Sequence, residues 1–170
     1  ELRRKLELLK LAITLPAPSD KDGREELAAL SGAMQSIYAK GKHCPGGDQA
    51  RCMTLGALSK RLVHSTDEAE LRDVWLGWRT ISRPMRAKYQ RYVELANKGA
   101  SELGFPDTGA LWRSKYDMEP DAFMAEVDRL WEQMKPLYVQ LHCHVRAKLQ
   151  ERYGADVVSD KGPIPAHLLG

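Results

Sequence analysis

Apolar residues recur every three or four positions along almost the whole chain, the pattern of amphipathic helices. Leu2, Leu6, Leu9 and Ile13 share one face, and Pro16 and Pro18 end that element. Asp22 followed by Glu25 reads as a capping box opening a second helix, which places Leu27, Leu30, Met34 and Ile37 on one side and closes at Gly41. Leu55, Leu58 and Leu62 mark a short third helix. Ser65 and Glu68 read as another capping box, ahead of a stripe made by Leu71, Val74, Trp75 and Trp78. After Pro84 a helix carrying Tyr89, Tyr92, Val93 and Ala96 runs towards Gly104. The longest stripe runs from Phe123 through Val127, Leu130, Trp131, Met134, Leu137, Tyr138, Leu141 and Val145 to Leu149, with Pro136 inside it as an expected kink. No stretch alternates with a period of two, and no internal repeat is present, so the pattern predicts an all-α fold.

The segment from Gly104 to Tyr116 breaks this regularity. It is rich in turn formers, yet it holds Phe105, Trp112, Arg113, Lys115 and Tyr116. An arginine beside aromatic residues in a turn can hold a small anion with its fork of donors, or make a structural salt bridge. Trp75, Trp78 and Trp131 stand on stripes with leucines and are expected in the core rather than on a base-stacking surface.

At 170 residues the chain has the length of one domain. Its 26 basic and 23 acidic side chains are interspersed, giving a net charge of +3. That describes a solvated helix surface, and it argues against a nucleic-acid-binding module, which would concentrate its basic charge. No run of about 18 apolar residues could span a membrane. Both ends read as cuts, because Glu1 starts inside a helical pattern and Leu168-Leu169-Gly170 follows an apolar stretch.

Conventional chemistry is sparse. The motifs His-Glu-x-x-His, Gly-x-Ser-x-Gly, the P-loop and the dinucleotide fingerprint are all missing from the sequence. His142 and His144 flank Cys143, but residues two apart on a helix point about 200° away from each other and cannot grip one ion. A metal site built from His43, Cys44 and Cys52 lacks a fourth ligand at a usual spacing. Cys44 and Cys52 enclose the turn-rich Pro45-Gly46-Gly47-Asp48, which is compatible with a disulfide and equally with two free thiols.

One resemblance spans essentially the whole chain. Glu132-Gln133-Met134-Lys135-Pro136-Leu137-Tyr138-Val139-Gln140-Leu141-His142, Arg152-Tyr153-Gly154 and Gly162-Pro163-Ile164-Pro165-Ala166-His167-Leu168-Leu169-Gly170 resemble the angiotensin-converting-enzyme family of zinc peptidyl-dipeptidases. Gly104-Phe105, Asp107-Thr108-Gly109 and Trp112-Arg113-Ser114 resemble a loop of that family, and Trp75-Leu76-Gly77-Trp78 and Met34-Gln35-Ser36-Ile37-Tyr38 its earlier helices.

The resemblance implies a single helical wall segment, residues 1–170, of a larger zincin-type peptidase with a deep central channel. Lid helices would lie before residue 1 and the zinc-binding half after residue 170. It implies zinc held by residues outside this chain, peptide substrates cleaved to release C-terminal dipeptides, and no catalytic or metal-binding residue here. It implies chloride at positions matching Arg113 and Tyr153, each completed by arginines beyond Gly170. It implies a Cys44–Cys52 disulfide and hence an extracytoplasmic location, periplasmic or secreted. Gln35 and Gly56 stand where animal members place channel-lining glutamates, and His142-Cys143-His144 departs from the family's usual residues, with Cys143 expected as a buried free thiol. The contrasting reading is a non-catalytic helical scaffold or adaptor derived from that family.

Overall fold

Prolines and short capping residues decide where the helices start and stop. The computed structural model describes residues 1–116 and 118–170. Its helices are α1 (Leu2–Leu11), α2 (Lys21–Lys40), α3 (Leu55–His64), α4 (Glu68–Ser82), α5 (Arg86–Glu102), α6 (Thr108–Arg113) and α7 (Pro120–Tyr153). The sheet is a single antiparallel pair, β1 (Lys42–His43) and β2 (Met53–Thr54), with Lys42 opposite Thr54 and His43 opposite Met53. The all-α expectation holds. Two-residue strands are too short to leave an alternating signature, which is why the pattern gave no sign of them.

Two caps lie elsewhere than expected. Asp20, not Asp22, caps α2: its Oδ1 accepts from the Gly23 N–H at 2.7 Å. Its other oxygen bonds Lys98 Nζ, also at 2.7 Å, and this contact from a distant helix fixes the earlier start. Asp67, not Ser65, caps α4, accepting from the Ala69 and Glu70 N–H groups at 2.9 and 3.2 Å. Ser65 instead donates its hydroxyl to Glu70.

The chain divides into two compact units, residues 1–35 with 85–133 and residues 36–84 with 134–170. In the first, Leu27, Leu95, Ala96, Ala100, Ala110 and Leu111 are buried. Gly99 lets α5 approach the Pro16–Ala17 backbone so closely that a Cβ there would stand 2.5 Å from the Pro16 carbonyl oxygen.

In the second unit, Leu58, Val74 and Ile81 form one cluster, with Met53, Leu55, Leu62 and Trp78 packed around it. Leu71, Val158 and Leu168 form another, with Leu149, Tyr153 and Val157 at its edge. The loop after α7 is held by side chains of that helix. Gln150 Nε2 donates to the Val158 carbonyl at 2.9 Å, and the Arg146 guanidinium donates to the Ser159 and Gly162 carbonyls.

Helix α7 runs through Pro136 as expected, but none of its residues is buried. Most of the long stripe stays uncovered, only its end at Leu149 packing on a core cluster: Leu137 and Leu141 are 63% and 57% exposed, and Trp131 is 45% exposed. Trp75 and Trp78 are half-buried, Trp75 beneath the Arg79 guanidinium at 3.9 Å from its ring centroid.

Candidate functional site

The segment Gly104–Tyr116, expected as a loop, contains α6, and its capping explains why. Asp107 Oδ1 accepts from the Ala110 N–H at 2.7 Å, and Asn97 Oδ1 accepts from the Thr108 N–H at 3.1 Å, so both side chains satisfy donors at the helix start. Gly104, at φ +86°, turns the chain out of α5. Buried Ala110 and Leu111 anchor α6, while Trp112 stays largely exposed and donates Nε1–H to the Thr14 carbonyl at 2.8 Å.

This geometry leaves Arg113 half-buried beside a cavity of about 520 Å³ lined by Gly109, Trp112, Lys115, Tyr116, Phe123 and Met124. Tyr116 and Phe123 stack with ring centroids 4.1 Å apart. Arg113 Nε is buried and has no hydrogen-bond partner among the described residues, as is also true of Thr108 Oγ1. An unpaired buried donor is costly. The Arg113 guanidinium and the Lys115 ammonium beside an aromatic-walled hollow are the kind of cationic donors that can receive a small anion. The structural salt bridge weighed for Arg113 is not formed with any described carboxylate.

The other candidate residues belong to separate helices. Tyr153 closes α7, half-buried against Leu71, Val158 and Leu168, with the Arg152 guanidinium 5.6 Å from its ring centroid. Gln35 is exposed and donates to Ser31 Oγ at 3.4 Å. Gly56 lies exposed in the first turn of α3, with open space where a Cβ would project.

Cys44 and Cys52 are joined in a disulfide, their Cα atoms 4.0 Å apart, closing the β1–β2 hairpin. Cys143 corrects an expectation: it is a free thiol but exposed, because it lies on the uncovered surface of α7. The described residues hold no group of three His, Cys, Asp or Glu side chains placed to ligate a metal. Zinc therefore has no fitting donor set among them, and no chemical step is assigned through it.

Sequence reasoning missed two pairs. His43 Nε2 lies 2.9 Å from Asp73 Oδ2, and His167 Nε2 lies 2.9 Å from Glu68 Oε1. Their separations of 30 and 99 residues leave no local signal.

Comparison with known proteins matches this arrangement to a family. The family model described as angiotensin-converting enzyme covers residues 1–170. The angiotensin-converting enzyme-like protein Ace3 of Mus musculus is 40% identical over 139 residues, covering 81% of this chain and 18% of that protein. The angiotensin-converting enzyme of Bos taurus is 38% identical over 157 residues, 91% of this chain and 12% of its own length. That of Theromyzon tessulatum is 39% identical over 156 residues, 89% of this chain and 25% of its own length. The chain thus spans a quarter or less of these relatives, and it belongs to the angiotensin-converting enzyme family of peptidases.

Proposed function

We propose that these residues form one wall of a zinc peptidyl-dipeptidase, an enzyme releasing dipeptides from the C-termini of peptides. The observation that carries this reading is the family match over residues 1–170, set beside relatives several times longer. On this reading the lid helices and the zinc-binding residues lie outside these 170 residues, and the chain alone is inactive. What its residues supply is shape. Gln35 and Gly56 belong to the wall facing the peptide, and an exposed amide and an exposed glycine offer no negative charge to a basic side chain of the substrate.

Arg113 and Tyr153 each contribute to a chloride site, and the unpartnered Nε of Arg113, a residue that lines the cavity, supports the first. The Cys44–Cys52 bond supports an extracytoplasmic setting, where disulfides persist. No helix among the described residues is long and apolar enough to cross a membrane.

Zinc content and dipeptide release, measured in parallel on this chain and on a longer protein containing it, test the reading. The expected result is zinc and cleavage in the longer protein and neither in the 170-residue chain. If the longer protein neither binds zinc nor cleaves, the segment is a scaffold derived from the family.

A further inference from the structure

Over the chain as a whole basic and acidic side chains are interspersed, but between Ser36 and Thr66 they are not. That stretch, which lies within the second unit, holds Lys40, Lys42, Arg51, Lys60 and Arg61 against the single carboxylate of Asp48. Its surplus exceeds the +3 of the entire chain, so the remaining residues together are slightly acidic. A surplus gathered in one place creates a field that the same charge scattered over a surface does not.

The fold collects these cations around the cross-strand pair of Lys42 and Thr54. Lys40 ends α2 two residues before Lys42, and Gly41 between them lies so close to Ile81 that no Cβ would fit, which seats this joint against α4. Arg51 precedes Cys52, which the disulfide ties to Cys44, and so stands three residues from Thr54. Thr54 caps α3 by accepting from the Ala57 N–H, and Lys60 follows about 9 Å along that helix.

Four of the five cations are free to meet an anion. Arg61 is paired with Glu70, whereas Lys40, Lys42, Arg51 and Lys60 are exposed and have no carboxylate partner among the described residues. Asp48 is engaged in accepting from the Ala50 N–H. Asp73 is held by His43, and successive strand residues point to opposite faces, so Lys42 is turned away from that carboxylate. Because the disulfide already orders the hairpin, a partner need not order it on binding.

What the stretch lacks selects the partner. No aromatic residue occurs from 39 to 74, and no large apolar side chain is exposed from 39 to 62. Bases would find nothing to stack on, and a bilayer nothing to receive among its acyl chains. A hydrated polymer of closely spaced sulfates or carboxylates needs neither. Three of the four free cations are lysines, whose ammonium groups act as point charges with few geometric demands. The Cys44–Cys52 bond supports a setting outside the cytoplasm, which agrees with such a partner.

We propose that the disulfide hairpin and the start of α3 form a docking surface for an acidic polysaccharide, engaged by Lys40, Lys42, Arg51 and Lys60. The surface does not depend on peptidase activity, so it stands or falls separately from the function proposed above.

Binding of the oxidised 170-residue chain to heparin, a sulfated polysaccharide, tests it when followed between about 50 and 200 mM salt. The logarithm of the affinity should fall linearly with the logarithm of the salt concentration, with a slope of about 3 in magnitude, as counterions leave four cation contacts. Replacing Lys40, Lys42, Arg51 and Lys60 together by glutamine should weaken binding about a hundredfold at the lower salt and flatten the slope. Replacing Lys5, Lys21, Lys148 and Lys161 by glutamine removes the same charge elsewhere and should leave both nearly unchanged. Equal losses from the two sets would mean that only net charge is read, which overturns the proposal. Tighter binding to vesicles of mixed phosphatidylcholine and phosphatidylglycerol, compared at equal anionic charge, overturns it as well. Should the first variant not fold, amide exchange on the unaltered chain decides. Heparin slows exchange chiefly in residues 40–61 if the surface exists, and slowing elsewhere or nowhere refutes it.

Discussion

The first unit ties its distant stretches with side chains of permanent charge, whereas the second uses a covalent bond and two histidines. In the first, Arg91 reaches Glu26 at 2.8 Å through two donors, Lys98 reaches Asp20 at 2.7 Å, and the Ser19 N–H donates to Glu102. In the second, the Cys44–Cys52 bond, His43–Asp73 and His167–Glu68 do the corresponding work. Both are helical, yet they should answer differently to solution conditions. Under reducing conditions only the second loses a cross-link.

The largest expected effects come from the cores and would show whether the division itself is sound. Leu111 in the first unit and Leu58 in the second are completely buried. Replacing either by alanine removes apolar contact and leaves a cavity, at a cost of about 3 kcal/mol. Hydrogen exchange should report Leu111→Ala chiefly in α5 and α6, and Leu58→Ala chiefly in α3 and α4. If Leu58→Ala raised exchange evenly through residues 1–35 and 85–133 as well, the two-unit description would be wrong.

Next in size is the disulfide. Closing so short a loop stabilises by about 2.5 kcal/mol in the chain-entropy account, and replacing Cys44 and Cys52 together by serine should cost that much in urea unfolding. The loss should appear as faster exchange around β1 and β2, with residues 86–113 unaffected. An unchanged midpoint would mean that the hairpin is held mainly by Met53 against the Leu58 cluster.

How far the sequence could be read differs between these features for physical reasons. Helices α2 to α5 were legible because a buried stripe repeats at helical spacing, as with Leu71, Val74 and Trp78. In α7 the same signal identified the helix but not its surroundings: Leu130, Leu137 and Leu141 repeat just as regularly but stay exposed, and periodicity identifies an apolar face without showing what covers it. The cap at Asp20 was missed because its competitor Asp22 fits the local rule equally well, and only Lys98, far along the chain, decides between them.

Arg113 was singled out by its aromatic neighbours, and the structure added what composition could not, an orphaned Nε beside a cavity. The pairs on α4 were illegible because a histidine and a carboxylate 99 residues apart carry no pattern at all.

The smallest expected effect concerns the surface pairs of the first unit. Hydrogen bonding to Lys98 and to the Gly23 N–H holds the Asp20 carboxyl below its ordinary value, and the Arg91 guanidinium does the same to Glu26. A carboxylate lowered in the folded state contributes stability above its unfolded value, about pH 4, and loses it as pH falls through the lowered folded value. Exposure keeps each contribution small and sensitive to salt. Acid titration should therefore loosen α2 against α5 only below about pH 4, and Asp20→Asn combined with Glu26→Gln should flatten that response while leaving stability between pH 5.5 and pH 8 with an unchanged slope. A sloping response of the first unit in that neutral interval, abolished by the same two substitutions, would show that these carboxyls titrate far above the range their partners impose.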